Sequence, residues 1–408
     1  MNALKNFSNL AEIERRTFYY LCGFSFFLPI SKAAGNIFLA LSILGMIHRL
    51  YRKHDDAKFI FVEYKKIFAT IAALFAAVLI SALSSADILF GLKSFAHKYI
   101  GHVAIMFPVI LICRDKEKIL NLLKLLFAGI FISNFIVIVQ GILNFNNSWR
   151  FGGTLMTMTQ GTLIAMVLPV YAILIMHVQK KSWRSALIIA AAVAFLALLL
   201  NGTRGVWVII PILVPAAVLI YAKSKLKAAA VLLSIFLIIA GIFATTPNLS
   251  ARFATITNLQ MQSNSERLLM WQSALEMFED NPIFGVGYGQ YKTAYQTKYI
   301  SPLAKERNLE HAHSNIFQML AACGIVGTAT FIFMWGYFSY FSLRRWLKKR
   351  KIEWLLFFCV LWGLMLHGLT EFNFETAVPS KFFWYALSLC IAYSGISAQK
   401  FDGGRNNF

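Results

Sequence analysis

Residues 184–244 read RSALIIAAAVAFLALLLNGTRGVWVIIPILVPAAVLIYAKSKLKAAAVLLSIFLIIAGIFA. Three apolar runs, 184–200, 206–222 and 226–244, are broken only by a tight Asn201–Gly205 connection and a Lys223–Lys225 step. Each is as long as a helix must be to cross the hydrocarbon layer, about 17 to 25 residues. A membrane barrel would alternate apolar and polar residues over segments of about ten. Lipid satisfies no backbone hydrogen bond, so runs of this length must span as helices. Working outward, comparable runs fall at 18–30, 33–47, 67–83, 97–113, 119–141 and 161–178 before this stretch, and at 314–342, 352–370 and 378–397 after it. The expected fold is all-α: a polytopic helical membrane protein of about twelve transmembrane helices, with residues 1–408 forming a single integral membrane domain. The first pair, interrupted only by Pro29, Ser31, Lys32 and Gly35, is short for a bilayer and reads as a broken hairpin.

Composition points the same way. Of 408 residues, 58% are hydrophobic and 14% charged, with mean hydropathy +0.63, values that exclude an ordinary soluble domain, a disordered tail and a nucleic-acid module. A net charge of +21 would suggest nucleic acid in a soluble chain, but here the basic residues cluster between apolar runs. That is membrane topology, with membrane lipids and no nucleic acid as partners. With both termini cytoplasmic, most of the 39 Lys and Arg fall on the cytoplasmic side. They include Lys5, Lys53, Lys58, Lys180, Lys223, Arg344 to Lys351, Lys400 and Arg405, as the positive-inside rule requires of an even number of spans. Five scattered cysteines form no C-x-x-C pair, so neither a disulfide framework nor a zinc site follows. No small-residue cleavage signal follows the first apolar stretch, so the N-terminus is expected to stay attached.

The same topology puts one large loop, 245–313, on the periplasmic side. Long loops in compact domains usually carry function. Ser263 and Glu266 match a capping box, and Leu268, Trp271, Leu275 and Phe278 recur at helical spacing until Asp280-Asn281-Pro282. An amphipathic helix is expected at about 263–279, lying against the membrane domain by that apolar face.

Three positions carry the chemistry. Arg204 is an isolated cation where two apolar spans meet; its planar fork suits a phosphate, and Gly202 and Gly205 would admit a bulky ligand. A snorkelling arginine bonded to helix-end carbonyls is the plainer alternative. Arg267 falls in the first turn of the amphipathic helix, where the macrodipole disfavours a cation unless an anion joins it. An ion pair with Glu266 or another acid would also serve. His313 precedes Ser314-Asn315, a helix cap, and the positive helix end keeps such a histidine neutral, as a general base needs. His311 is the second choice for the base.

The remaining candidates are supporting ones. Glu371 and Glu375 flank Phe372-Asn373-Phe374 at the outer end of a span, where an acid can orient an acceptor hydroxyl or neutralise Arg204 or Arg267. Arg150 and Lys93 extend the basic rim. Asn281 to Gly289 contains glycines but lacks the preceding strand and the following Lys-Ser or Lys-Thr of a nucleotide loop. It reads as a turn over a cavity, with Tyr288 and Tyr291 available for sugar stacking or as interface residues. Two histidines two residues apart, with neither H-E-x-x-H nor a D-x-D pair, give no positive support for a divalent metal.

Taken in order, Thr203-Arg204-Gly205, Ser265 to Trp271, Asn281 to Gly287, and His311 to Asn315 leading to Gly324-Ile325-Val326-Gly327 resemble the O-antigen ligase family. This family sits within the polytopic lipid-linked polysaccharide polymerases and ligases. The ordered set is specific where each piece is weak. Similar proteins often carry an acid just before the glycine matching Gly324; this chain has Ala322-Cys323 there. The resemblance implies a membrane domain similar to GT-C-like glycosyltransferases in the bacterial inner membrane. It implies a periplasmic, inverting glycosyl transfer without metal or cofactor. The donor would be an undecaprenyl-diphosphate-linked polysaccharide and the acceptor a sugar hydroxyl of the lipid A core oligosaccharide. By the same resemblance, Arg204 and Arg267 would bind the diphosphate leaving group and His313 would deprotonate or orient the acceptor. A polysaccharide polymerase, a protein O-oligosaccharyltransferase and a lipid-linked glycan transporter are the alternatives. The single late loop favours a ligase over a polymerase. Charges gathered at one surface, rather than at midmembrane depth, disfavour a transporter.

Overall fold

Apolar runs closed by capping residues become helices here, and side-chain caps mark several starts. Asp87 accepts from the Phe90 amide at 2.9 Å, Asp115 from Lys118 at 2.7 Å and Ser314 from Phe317 at 3.5 Å. The computed structural model describes residues 2–52, 58–144 and 150–402. Lys53 and Arg405, counted above among the cytoplasmic clusters, lie outside the described residues, as do the side chains of Lys5, Lys58 and Lys400.

Among the described residues, nine helices are long and apolar enough to cross a membrane: Lys32–Arg52, Lys65–Leu83, Ile88–Ile112, Lys116–Leu143, Thr157–His177, Lys181–Asn201, Arg204–Tyr221, Lys225–Thr245 and Asn315–Lys349. Three more, Asn2–Phe27, Ile352–His367 and Ala377–Asp402, pack in the same bundle. Ile352–His367 has only 16 residues, short for a span on its own. The first two helices form a hairpin through a turn at Leu28–Ser31, as the broken run implied. Helix Lys225–Thr245 shows why the chain needs lipid: none of its residues is buried, and Val231, Leu233, Phe236, Leu237 and Ile238 are all exposed. Water would not tolerate so large an apolar face on a monomer.

Hydrogen bonds between connections sort the bundle into two ends. At one, Thr154 Oγ1 donates to the Ile30 carbonyl, Asn201 Nδ2 to the Phe151 and Thr157 carbonyls, and the Asn315 amide to Gly368. At the other, Arg49 pairs with Glu14, Arg345 with Glu63, and Tyr221 stacks on Trp346. The clusters at Lys223–Lys227 and Arg344–Lys349 belong to this second end, opposite the large loop.

The loop after Thr245 is mostly ordered secondary structure: Pro247–Ala254, Gln262–Asp280, Tyr291–Ala294 and a π-turn at Tyr295–Tyr299. Helix Gln262–Asp280 matches the expected amphipathic segment in extent, but two details differ. The capping box does not form. The Ser263 hydroxyl accepts from Arg204 at 2.6 Å, and the Glu266 carboxylate accepts from the Lys305 amide at 2.8 Å, so both are drawn to other chain segments. The packed face is also rotated. Met270, Ser273, Ala274 and Met277 are buried against Tyr291, Tyr295 and Tyr299, whereas Leu268 and Leu275 are exposed. Small and flexible side chains fit the close approach to the Tyr-rich segment and helix Asn315–Lys349, while the leucines point outward.

The glycine-rich loop is a packing device. Gly324 interrupts helix Asn315–Lys349 with φ +60°, and a Cβ there would come 2.5 Å from the Ile283 carbonyl. The freed backbone groups pair with the loop instead: Ile325 N donates to Pro282 O at 2.8 Å and Val286 N to Ala321 O at 2.9 Å. Loop and kink thus form one hydrogen-bonded unit.

Candidate active site

Asn201 ends one helix and Gly202, at φ +62°, turns the chain in the left-handed region, so that Arg204 opens the next helix at the bundle's loop end. The Arg204 fork reaches across to the loop. Nη1 donates to the Thr255 carbonyl at 2.8 Å and the Thr255 hydroxyl at 3.0 Å, and Nη2 to Ser263 Oγ at 2.6 Å and Asn264 Oδ1 at 2.9 Å. Arg252, on helix Pro247–Ala254, donates from Nε and Nη2 to the Gly202 carbonyl at 3.0 and 2.9 Å. Together with Arg150 and Arg267 these side chains line one cavity of about 340 Å³. Met158, His367 and Thr370 also line it, with Glu306 as its lining acid. Burial, then Arg150 and Arg204, push the Arg252 guanidinium down to about 10, so it stays charged at neutral pH beside its like-charged neighbours. Gly205 contributes by its lack of a Cβ, which would meet Thr370 Oγ1 at 3.0 Å. It serves close helix packing rather than ligand entry.

Arg267 lies in the second turn of its helix, one turn deeper than expected, and its partner is Glu371 at 3.6 Å rather than Glu266. Its Nε is buried without a hydrogen-bond partner. Glu371, 5% exposed, also meets His313: Oε1 lies 3.1 Å from Nδ1. Burial alone would raise that carboxyl; the hydrogen bond from His313, first among the lowering causes, outweighs it and the carboxyl is held at about 2. An ionised Glu371 accepts only, so Nδ1 of His313 carries the proton in the neutral ring and Nε2 keeps its lone pair.

His313 is held in the left-handed region at φ +47°, unusual for a side-chain-bearing residue and costing about 1–3 kcal/mol. A clamp two residues further on was not anticipated. Asn315 Nδ2 donates to Asn373 Oδ1 at 2.8 Å, and Asn315 Oδ1 accepts from the Asn373 and Phe374 amides, both at 3.1 Å. Glu371 is thereby fixed over the start of helix Asn315–Lys349. The His311 ring meets His313 edge-on with centroids 4.3 Å apart and Phe372 at a tilt with centroids 5.0 Å apart; its Nδ1 accepts from the His313 amide. Burial lowers it to about 4, so it is neutral at pH 7.

Arg150, Arg204 and Arg267 therefore share a cavity, and Glu371 joins His313, with His311, to Arg267. Tyr288 does not join them. It is 2% exposed and its hydroxyl donates to Glu375 at 2.8 Å, so the sugar-stacking role expected of it is replaced by an internal bond. Tyr291 is buried likewise. Glu375 pairs with Lys98 at 3.2 Å, not with an arginine. Arg252 was missed; its only sequence signal is a cation on a short segment directly after a span. His311, His313 and Glu371 also bring ligand-type atoms within 4.8 Å of one another, although His311 Nδ1 and His313 Nδ1 are both engaged as described.

Residues 189–332 match the family model described as O-antigen ligase, a segment that includes Arg204, Arg252, Arg267, His311 and His313. Comparison with curated proteins finds no match.

Proposed function

We propose, taking the O-antigen ligase match over residues 189–332 as premise, that the protein transfers a glycan from undecaprenyl diphosphate to a sugar hydroxyl of lipid A core. The reaction is inverting and metal-independent, in a GT-C-like membrane domain of twelve spans. The bundle end bearing the arginine cavity faces the periplasm, because the opposite end carries the dense basic clusters that remain cytoplasmic. One observation carries this reading: Arg150, Arg204, Arg252 and Arg267 converge on one cavity that Glu306 alone among acids lines. A diphosphate supplies the missing negative charge, and the orphaned Nε of Arg267 is a ready donor to one of its oxygens.

The chemistry follows from charge movement. As the bond between the anomeric carbon and the diphosphate oxygen breaks, negative charge grows on the departing diphosphate. Guanidinium forks already fixed beside it stabilise that charge more than the ground state. On the other side of Glu371, Nε2 of His313 accepts the acceptor hydroxyl proton as its oxygen attacks the anomeric carbon. Glu371 holds the tautomer and stabilises the imidazolium that results. His311 stays neutral beside it and packs the ring.

The test is a reconstituted assay with purified lipid-linked donor and lipid A core acceptor. Glycan attached to lipid A core supports the reading. Glycan attached only to a second polyprenyl-linked chain or only to protein replaces it with polymerase or protein transferase. Turnover should persist in chelator; its loss, restored by an added divalent cation, would assign the His311, His313 and Glu371 cluster to a metal instead.

A further inference from the structure

A second set of basic residues lies at the same end of the bundle, near the start of helix Ala377–Asp402. Lys381 is 6% exposed, and the partner it finds is the side-chain oxygen of Asn36, a neutral group. Beside it His102 is 2% exposed with Nδ1 lacking any hydrogen-bond partner. Three lysines, Lys381, Lys98 and Lys32, act on His102, and Lys32 acts on Lys381. The acid nearest at hand, Glu375, is consumed by Lys98, Tyr99 and Tyr288. An ammonium buried without a counter-charge is costly, so such a lysine either loses its proton or is met by an anion.

The surroundings favour the anion. Lys32, Asn36, Ile37 and His97 are exposed, and Asn36 bonds the buried Lys381, so the buried amine adjoins side chains at the outer surface of the bundle. Lys381 and Asn36 lie about one helical turn, roughly 6 Å, inside the starts of helices Ala377–Asp402 and Lys32–Arg52, the depth of a lipid head group. His102 lies two residues beyond the π-helical stretch Ala96–Ile100 and five beyond His97, a π-helical spacing, with the ring centroids 6.2 Å apart.

We propose that Lys381, His102, Lys32 and His97 form a second anion site, occupied by the phosphate of a membrane lipid that enters from the bilayer. The site is independent of the reaction performed in the arginine cavity. Its placement does give it a route to that reaction. Lys98 lies 5.5 Å from the Phe372 ring centroid, and Phe372 packs at a tilt against His311, so side-chain contacts run from this neighbourhood to the histidine pair. The phosphate has two sources, a bulk acidic phospholipid or a phosphorylated acceptor glycolipid.

The test is lipid retention by the delipidated full-length protein in detergent, read by native mass spectrometry with no turnover involved. Phosphatidylglycerol is compared with diacylglycerol, and a phosphorylated lipid A core with its enzymatically dephosphorylated form. The wild type should retain a phosphate-bearing lipid in preference to its phosphate-free counterpart, and Lys381→Met should weaken that retention roughly tenfold. The exposed-rim pair Lys32→Gln and His97→Gln, which leaves the buried core intact, should weaken it roughly threefold. Retention of phosphatidylglycerol assigns the site to bulk lipid, and selective retention of phosphorylated lipid A core assigns it to the acceptor. Equal retention of phosphate-bearing and phosphate-free lipids, or retention unchanged in both variants, overturns the proposal and leaves Lys381 as an uncharged core amine.

Discussion

Glu371→Gln keeps the shape of the side chain and removes its charge, which makes it the sharpest perturbation of the site. A carboxyl that ordinarily titrates near 4.5 is held at about 2, although burial pushes the other way. That corresponds to about 3 kcal/mol of favourable interaction with the ionised form. The folded state has the depressed pKa, so this stability is fully present above about pH 4.5 and is lost as pH falls through about 2. Thermal unfolding in detergent should therefore show the variant less stable than the wild type at pH 7, with the gap narrowing below pH 4.5. Catalysis should suffer more. A glutamine can turn its amide nitrogen toward Nδ1 of His313, which moves the ring proton to Nε2 and removes the base. Loss of general-base catalysis costs about 10²–10⁴-fold, so kcat should fall in that range while the donor KM changes little. A folded Glu371→Gln enzyme within threefold of wild-type kcat at pH 7 would refute both the tautomer assignment and the base role of His313.

Other outcomes follow from the same geometry. Arg252→Ala removes one cavity cation and the two bonds to the Gly202 carbonyl; donor binding, measured by titration of the lipid-linked donor, should weaken roughly tenfold with the fold retained. Gly324→Ala places a Cβ 2.5 Å from the Ile283 carbonyl at φ +60° and should lower stability by about 2 kcal/mol or more, seen as a reduced Tm. His311 is held at about 4 against an ordinary 6.5, so the unfolded chain takes up its proton first. Stability should decline as pH falls from 6.5 to 4, and His311→Phe should flatten that part of the curve.

The helices were legible because a long uninterrupted apolar run has few fates in a bilayer, and Arg204 stood out because it is the one cation between two such runs. His313 was legible by its position before a helix cap. What escaped was set by tertiary pairing. Arg252 is one of several loop cations, and only the fold of Pro247–Ala254 onto Gly202 separates it from the rest. The Asn315–Asn373 clamp joins residues 58 apart through side-chain amides that carry no local pattern. The rotated face of Gln262–Asp280 has a related cause: apolar residues occur on more than one face of this helix, so periodicity alone could not say which one meets protein. Tyr288 was misjudged because a tyrosine near glycines suits a binding loop and a buried anchor equally well, and Glu375 decides for the anchor.

Arg204 is both the residue easiest to pick out in the sequence and the one whose fork is most fully engaged. Its two terminal nitrogens bond Thr255, Ser263 and Asn264, all neutral acceptors, and Asn264 Nδ2 in turn donates to the Thr255 and Asn258 carbonyls. A phosphate oxygen makes bonds roughly twice as strong to a guanidinium as a neutral oxygen does. Donor binding at Arg204 is therefore an exchange, in which the 255–264 segment gives up its anchor as the diphosphate takes it. Hydrogen exchange of residues 255–264 should accelerate when the lipid-linked donor is added, and the same acceleration should appear without donor in Arg204→Ala. Slower exchange on donor binding would mean that the segment keeps its bonds to Arg204 and that the diphosphate is held by Arg252 and Arg267 alone.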